Sequence, residues 1–189
     1  MPPKKVRTLG ADAAPASRSV SMSPASAGVD DALDLAHFTD TMSRLAATVC
    51  IAASADESER HARTVTAVTS LSAQPPSLLV SITKGSDLAH LIARTNRFSL
   101  NLLAEDQQEV GDAFAGKLRV EDRFSVGHWT QWPSGQPRLE GAATAIECRV
   151  AGSIDLDTHC LFVGVLTGAQ TSEKKPLVWY RRGYHTLEG

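Results

Sequence analysis

The feature that most restricts how this chain can fold is a succession of short β-prone runs, at residues 46–53, 64–71, 77–83, 98–103, 145–154, 160–167 and 177–180. They are bounded by turn residues and do not alternate regularly with helices. Many short strands at close spacing predict a barrel or sandwich rather than a doubly wound parallel sheet. Helical periodicity interrupts them in a few places. Leu35, Phe38, Met42 and Leu45 mark one face of an opening helix over 33–45, and Ser86 and Asp87 open a second that carries Leu88, Leu91 and Ile92. A third is expected over 105–114. The expected class is therefore mainly β, of α+β type, with a few peripheral helices. A segment over 120–139 holding Trp129, Trp132, Pro133, Gly135 and Pro137 is too long for a simple turn. Loops of that length are often functional or lie at an interface, and here a contact between two copies of the chain is expected.

The chain of 189 residues, 42% of them hydrophobic, suffices for one sizeable core. Residues 31–189 are expected to form that single domain. Residues 1–28 are rich in Ser, Ala and Pro and carry Lys4, Lys5, Arg7 and Arg18 against Asp12 alone, so a disordered tail is expected over 1–30. A net charge of −2 gives no footprint for nucleic acid. No apolar run approaches the roughly 18 to 20 residues that cross a bilayer. Cys50, Cys148 and Cys160 are odd in number and outside any Cys-x-x-Cys spacing, which fits a reducing, cytoplasmic setting.

Several chemistries are missing from the sequence. Gly111 to Leu118 copies the glycine and lysine spacing of a phosphate-binding P-loop, but Leu118 stands where a hydroxyl must meet Mg²⁺, and no buried strand precedes it. There is no Gly-x-Ser-x-Gly elbow and no His-Glu-x-x-His, and the histidines never pair at metal-ligand spacing. No metal site is expected. Gly-x-Gly-x-x-Gly is also absent, so any dinucleotide must be held without the Rossmann turn.

Two segments could hold a ligand. From Thr64 to Ser72 hydroxyl and apolar side chains alternate before Gln74-Pro75-Pro76 stops the run, so Thr64, Thr66, Val68 and Ser70 would share one strand face. That face is either a plain exposed one or a wall of donors and acceptors, with the small Ala67 allowing close approach. Lys84-Gly85-Ser86-Asp87 places a cation, a flexible residue and a hydroxyl at a helix N-terminus. Ser86 either only caps the helix or shares a phosphate-binding terminus with the N–H groups left over.

These segments, in their order, resemble the flavin reductase-like family, the reductase components of two-component flavin monooxygenases, with an FMN-binding split-barrel fold. The resemblance runs from about Asp31 to Leu187. It rests on residues 38–46 and the 64–76 segment, then on Asn101-Leu102-Leu103-Ala104-Glu105-Asp106-Gln107, Phe114-Ala115-Gly116-Lys117 and Arg123-Phe124. Further marks are Leu139-Glu140-Gly141-Ala142, Glu147-Cys148, His159 to Gly164, Pro176-Leu177-Val178 and Tyr184-His185. Their joint order carries the match.

The resemblance implies an NAD(P)H-dependent reductase of FMN, or alternatively FAD, with NADH or NADPH as donor. It also implies a homodimer and a separate oxygenase that receives the reduced flavin. Thr64, Thr66, Ala67, Val68 and Ser70 would flank the flavin ring with Ser81 and Ile82 alongside. Lys84, Gly85 and Ser86 would meet its phosphate, and Phe114, Gly116 and Lys117 would border it, leaving Gly111 incidental. His159 would lie by the nicotinamide as the catalytic residue, and Tyr184 beside the same pocket. The alternative class is a non-catalytic flavin- or heme-binding split barrel. The family's usual Gly before the Thr64 segment is replaced by Ala62-Arg63, the Gly-Asp before the histidine by Asp157-Thr158, and the Glu after Gly164 by Val165.

Overall fold

The computed structural model describes residues 18–21 and 33–188. Strand β1 (Arg18–Ser21) is followed by helix α1 (Leu35–Ser43), then β2 (Ala47–Thr48), β3 (Cys50–Ala55), β4 (Arg60–Val65), β5 (Val68–Ala73) and β6 (Pro76–Thr83). Helix α2 (Asp87–Thr95) and β7 (Arg97–Leu102) lead to α3 (Gln108–Asp112), which runs into a π-helical turn over Ala113–Lys117. A 3-10 turn over Val120–Ser125 precedes β8 (Trp129–Gln131) and β9 (Pro137–Leu139). Two long strands, β10 (Thr144–Asp155) and β11 (His159–Thr171), and a hairpin of β12 (Val178–Tyr180) and β13 (Gly183–His185) complete the chain. The mainly β, split-barrel architecture is the expected one.

The main sheet runs β4-β3-β7-β10-β11-β6-β5. Its two edge strands, β4 and β5, are consecutive in the chain and separated by Thr66 and Ala67 alone. Laid flat, these strands at about 4.8 Å spacing would hold the edges roughly 29 Å apart. The chain from Val65 to Val68 can span at most about 11 Å. The sheet must therefore roll until its edges meet, and Thr66 and Ala67, which belong to neither ladder, form the seam. The run 64–71 is thus not one strand, as its alternation predicts, but the end of one edge and the start of the other. Periodicity reports which face a side chain takes and is blind to a change of partner.

The rolled sheet encloses one core, in which Cys50, Ala52, Val80, Phe98, Leu100, Cys148 and Phe162 meet Leu88 and Ile92 of α2. A second core lies on the outer face, where Val49, Ile51 and Ala53 meet Leu103, Val110, Phe114, Leu139 and Leu177. Strand β3 is consequently buried along its whole length. Its sequence, Cys-Ile-Ala-Ala-Ser-Ala, is the continuous small apolar run that burial on both faces requires.

Helix α2 begins where its sequence says it should. Ser86 Oγ accepts from the Ala89 N–H at 3.2 Å, and Asn96 closes the helix in the left-handed region at φ 54°. The Trp-containing segment is ordered by polar side chains of the sheet. Asn101 accepts from the Leu139 N–H at 2.9 Å, and Gln136 donates to the Ala55 carbonyl at 2.8 Å. Trp129 is half-buried against Phe114 and Phe124, and Trp132 lies against Gly168. These indoles pack on their own chain, in the segment where the sequence leads to the expectation of a contact between two copies.

The apolar surface left open is elsewhere. Helix α1 buries no residue and leaves Leu35 79% and Phe38 54% exposed. Of the stretch expected as a tail, Arg18–Ser21 pairs in parallel with Gly152–Asp155 of β10. The rest of that expectation lies outside the described residues. Among the described residues no helix is long and apolar enough to cross a membrane.

Candidate functional site

Two cavities open on either side of the seam, and Thr66, Ala67 and Ser81 line both. The larger, about 820 Å³, is lined by strands of the barrel and by the chain that follows α1. Leu100 and Leu102 of β7, Ile146 of β10 and Leu166 of β11 form its floor. Val68 and Ser70 of β5 and Leu45 to Thr48 after α1 form its walls. Its volume is that of a site for a cofactor-sized molecule. Its floor is apolar and most of its hydroxyls come from the seam and the β5–β6 hairpin, which suits a flat heteroaromatic ring with one polar edge.

The smaller cavity, about 290 Å³, is polar. Arg63 and Thr64 from β4 face Ser81, Ile82 and Thr83 of β6, Ser86 at the start of α2, and His159 at the start of β11. His159 stands opposite Thr83 in the β6–β11 ladder, and its Nδ1 lies 2.9 Å from the Thr158 hydroxyl. Lys84 is tethered to the same turn, its N–H donating to the Thr158 carbonyl at 3.0 Å and its Nζ to the Leu156 carbonyl at 3.3 Å. Gly85 takes φ +73°, the conformation that lets the chain turn sharply from β6 into α2. The Ser86 hydroxyl takes the Ala89 N–H and donates to the Thr83 carbonyl at 2.7 Å. The remaining first-turn N–H groups and the positive end of the helix form a terminus able to receive an anion.

The sequence-expected residues therefore divide. Thr64, Thr66, Ala67, Val68, Ser70, Ser81, Ile82, Ser86 and His159 line one or both cavities, with Lys84 and Gly85 adjoining. Phe114, Gly116, Lys117 and Tyr184 do not line them, and Lys117 and Tyr184 meet at Asp112 instead. Phe114 is fully enclosed, edge-on to Phe124 with centroids 5.0 Å apart. Lys117 Nζ and the Tyr184 hydroxyl both donate to Asp112, at 2.7 and 3.0 Å. Burial, helped by the Asp112 carboxylate, pushes the Tyr184 phenol up to about 12, so it remains a protonated donor at neutral pH. Gly116, at φ +108°, turns the chain out of the π-helical segment with open space where a Cβ would sit.

Gly111, taken from the sequence as incidental, joins this cluster to the cavities. Its carbonyl accepts from the Thr64 hydroxyl at 2.7 Å. A Cβ there would lie 2.9 Å from the Tyr184 hydroxyl, so only glycine admits the phenol. The segment is helical from Gln108 until the chain turns at Gly116, with no strand leading into a glycine loop. The apolar floor was also missed, although Leu100, Leu102 and Ile146 follow the period-two pattern of strands facing one interior.

Cys50, Cys148 and Cys160 are free and buried, and burial pushes their thiols up to about 12, 12 and 11. None is poised as a nucleophile. Among the described residues no His, Cys, Asp and Glu cluster could hold a metal ion.

A split barrel whose seam separates an apolar ring-sized cavity from a phosphate-sized polar one defines a flavin-binding class of protein. The family model of the flavin reductase-like domain matches residues 42–188, and the chain belongs to that family. It is 38% identical over 151 residues to the reductase component of an FADH(2)-dependent resorcinol hydroxylase from Rhizobium sp. (strain MTP-10005), covering 78% of this chain and 84% of that protein. It is 32% identical over 159 residues to the FMN reductase (NADH) RutF of Ancylobacter novellus, covering 84% of this chain and 88% of that one. The solved structure of the styrene monooxygenase flavin reductase from Pseudomonas putida S12 superposes with a TM-score of 0.71 at 27% identity, covering 80% of this chain and 97% of that one.

Proposed function

We propose that this protein is an NAD(P)H:flavin oxidoreductase that reduces FMN or FAD and supplies the reduced flavin to a separate oxygenase. The observation that carries the reading is the seam, where Thr66, Ala67 and Ser81 present backbone and hydroxyl groups to an apolar cavity on one side and a cationic slot on the other. The flavin would supply the two-electron acceptor for the hydride of the reduced nicotinamide. The chain supplies position. The hydroxyls of Thr66, Ser70 and Ser81 are placed to meet a polar ring edge, and the start of α2 with Lys84 and Ser86 to hold a phosphate. His159 stands across the slot to orient the nicotinamide, and no protein group needs to move a proton for hydride transfer itself. Reductase components among the relatives support an oxygenase partner. Three buried free cysteines suit a cytoplasmic setting.

The test is an anaerobic titration of the folded protein with NADH and then NADPH, in the presence of FMN and of FAD. Loss of the oxidised flavin absorbance is expected with at least one pair. Failure of every pair would overturn the reading.

The same reading includes a homodimer. The exposed face of α1, with Leu35, Phe38 and Met42, continues through Leu45 into the wall of the larger cavity. A second copy would cover this face and close the cavity's open side. Light scattering at micromolar concentration should give twice the mass of the chain, and Phe38→Asp should shift it toward the monomer. A wild-type monomer would refute the arrangement.

A further inference from the structure

A third cavity, about 300 Å³, lies between the end of α1 and the C-terminal hairpin, lined by Asp40, Ser43, Arg44, Arg181 and Arg182. Asp40 is already paired with Arg44 at 3.3 Å, which among the described residues leaves the Arg181 and Arg182 guanidinium groups without an acidic partner. Arg181 stacks over Tyr180 at 5.6 Å, and Arg182 has no hydrogen-bond or ion-pair partner among the described residues. The Ser43 carbonyl at the end of α1 is taken by the Arg181 N–H at 2.7 Å, and those of Asp40, Thr41 and Met42 by the Ser43 hydroxyl and the Arg44 and Leu45 N–H groups, so none is left unpaired toward the cavity.

The backbone adds an independent observation. Tyr180 and Gly183 pair across the hairpin, and the two residues between them, Arg181 and Arg182, have φ +47° and +61°. Positive φ at both centres is the tight hairpin turn that favours Asn-Gly, because a Cβ is strained there. Two arginines hold the positions that the fold would give to glycine. Strain of this kind persists where a side chain serves something other than the fold.

Location decides the ligand. Arg44 lines this cavity, and Leu45, the next residue, lines the 820 Å³ apolar cavity. A molecule that places a flat ring at the seam and carries an anionic group for the arginines in addition to any phosphate held at the start of α2 is a dinucleotide. We propose that Arg44, Arg181 and Arg182 form a second anion site, which holds the phosphate-bearing adenosine end of a dinucleotide whose ring end reaches the seam. The identification of the ligand rests on the proposed reductase function, while the existence of the anion site does not. Two sources share this chemistry, FAD and the nicotinamide dinucleotide, and they are separated by the test.

The variants are Arg181→Gly/Arg182→Gly and Arg44→Gln, examined for binding of ADP and of 2′,5′-ADP by calorimetry and for steady-state kinetics with each flavin and each nicotinamide. Wild-type protein should bind at least one probe with an affinity that falls with salt, and the glycine variant should lose it about tenfold or more while melting at a higher temperature. KM should rise similarly for the dinucleotide concerned. A rise for FAD and not FMN assigns the flavin, a rise for NADH and NADPH together assigns the nicotinamide diphosphate, and a rise for NADPH alone assigns its 2′-phosphate. No probe binding, or binding and KM values untouched by both variants, overturns the proposal. So does a glycine variant that melts lower, or changes oligomeric state, with unaltered kinetics, because the arginines then serve the fold or the dimer. If the wild type reduces no flavin yet binds a probe that the variants lose, the reductase reading fails and the anion site stands.

Discussion

Gly164→Ala is expected to lower the melting temperature by roughly 5 to 15 °C. Gly164 lies on β11 between Val150 of β10 and Leu78 of β6, in the middle of the barrel wall. A Cβ there would meet the Phe98 ring at 2.5 and 2.8 Å and the Cys148 Cβ at 2.9 Å. Phe98 and Cys148 are themselves fully buried, so neither has space into which to retreat. Overpacking of a dense core costs about 1 to 3 kcal/mol, and occasionally more where neighbours cannot move. We expect about 2 to 4 kcal/mol, and a chain of this size loses about 2 to 4 °C per kcal/mol. Phe98→Leu alone should also destabilise, by leaving a cavity. Combined with Gly164→Ala it should recover part of the loss, giving a coupling of about 1 kcal/mol or more in a double-mutant cycle. Additive losses, or a melting temperature unmoved by Gly164→Ala, would show that the Phe98 ring is not the constraint.

The glycine illustrates which parts of the molecule are legible in the sequence. Helix α2 is legible in full, because its Ser86 cap, apolar face and Asn96 terminus are local signals that the fold leaves in place. Strand β3 is legible as a continuous apolar run. The seam is not, because the alternation of 64–71 continues across Thr66 and Ala67 while the hydrogen-bonding partner changes from β3 to β6. Strand β4 before it, Arg-His-Ala-Arg-Thr-Val, is too charged to be read as a strand until its edge position is known. An edge can carry such residues since its outer side meets solvent.

The site divides in the same way. Residues near one another in sequence, such as Lys84, Gly85 and Ser86, declare a helix terminus by themselves. The bond from Thr64 to Gly111 joins residues 47 positions apart and leaves no trace in either segment. Phe114 and Tyr184 come from segments that the family resemblance marks. The structure gives them a supporting task, in the second core and on Asp112, from which they fix α3 under Thr64. Gly111, set aside with the false P-loop, is the residue that makes the Tyr184–Asp112 bond sterically possible.

The seam and the slot should separate under mutation. Thr66 lines both cavities, whereas His159 lines only the polar one. Removing the Thr66 hydroxyl at nearly constant volume, in Thr66→Val, should first weaken flavin affinity, by about 5- to 10-fold for one hydrogen bond of about 1 to 1.5 kcal/mol. His159→Ala should leave flavin affinity within about twofold, yet raise KM for the nicotinamide or slow hydride transfer. A contact of about 1 to 3 kcal/mol predicts a loss of roughly 5- to 100-fold in kcat/KM. Flavin binding is read by fluorescence quenching without nicotinamide, and hydride transfer by anaerobic single-turnover kinetics at saturating flavin. The His159 side chain is exposed and among the described residues its ring meets only the Thr158 hydroxyl, so its removal has little to do to the fold. A kinetic loss in a variant that melts like the wild type would place the effect in the slot. If His159→Ala releases flavin and leaves the nicotinamide dependence unchanged, His159 holds the flavin and not the nicotinamide. The nicotinamide must then approach from the apolar cavity on the other side of the seam.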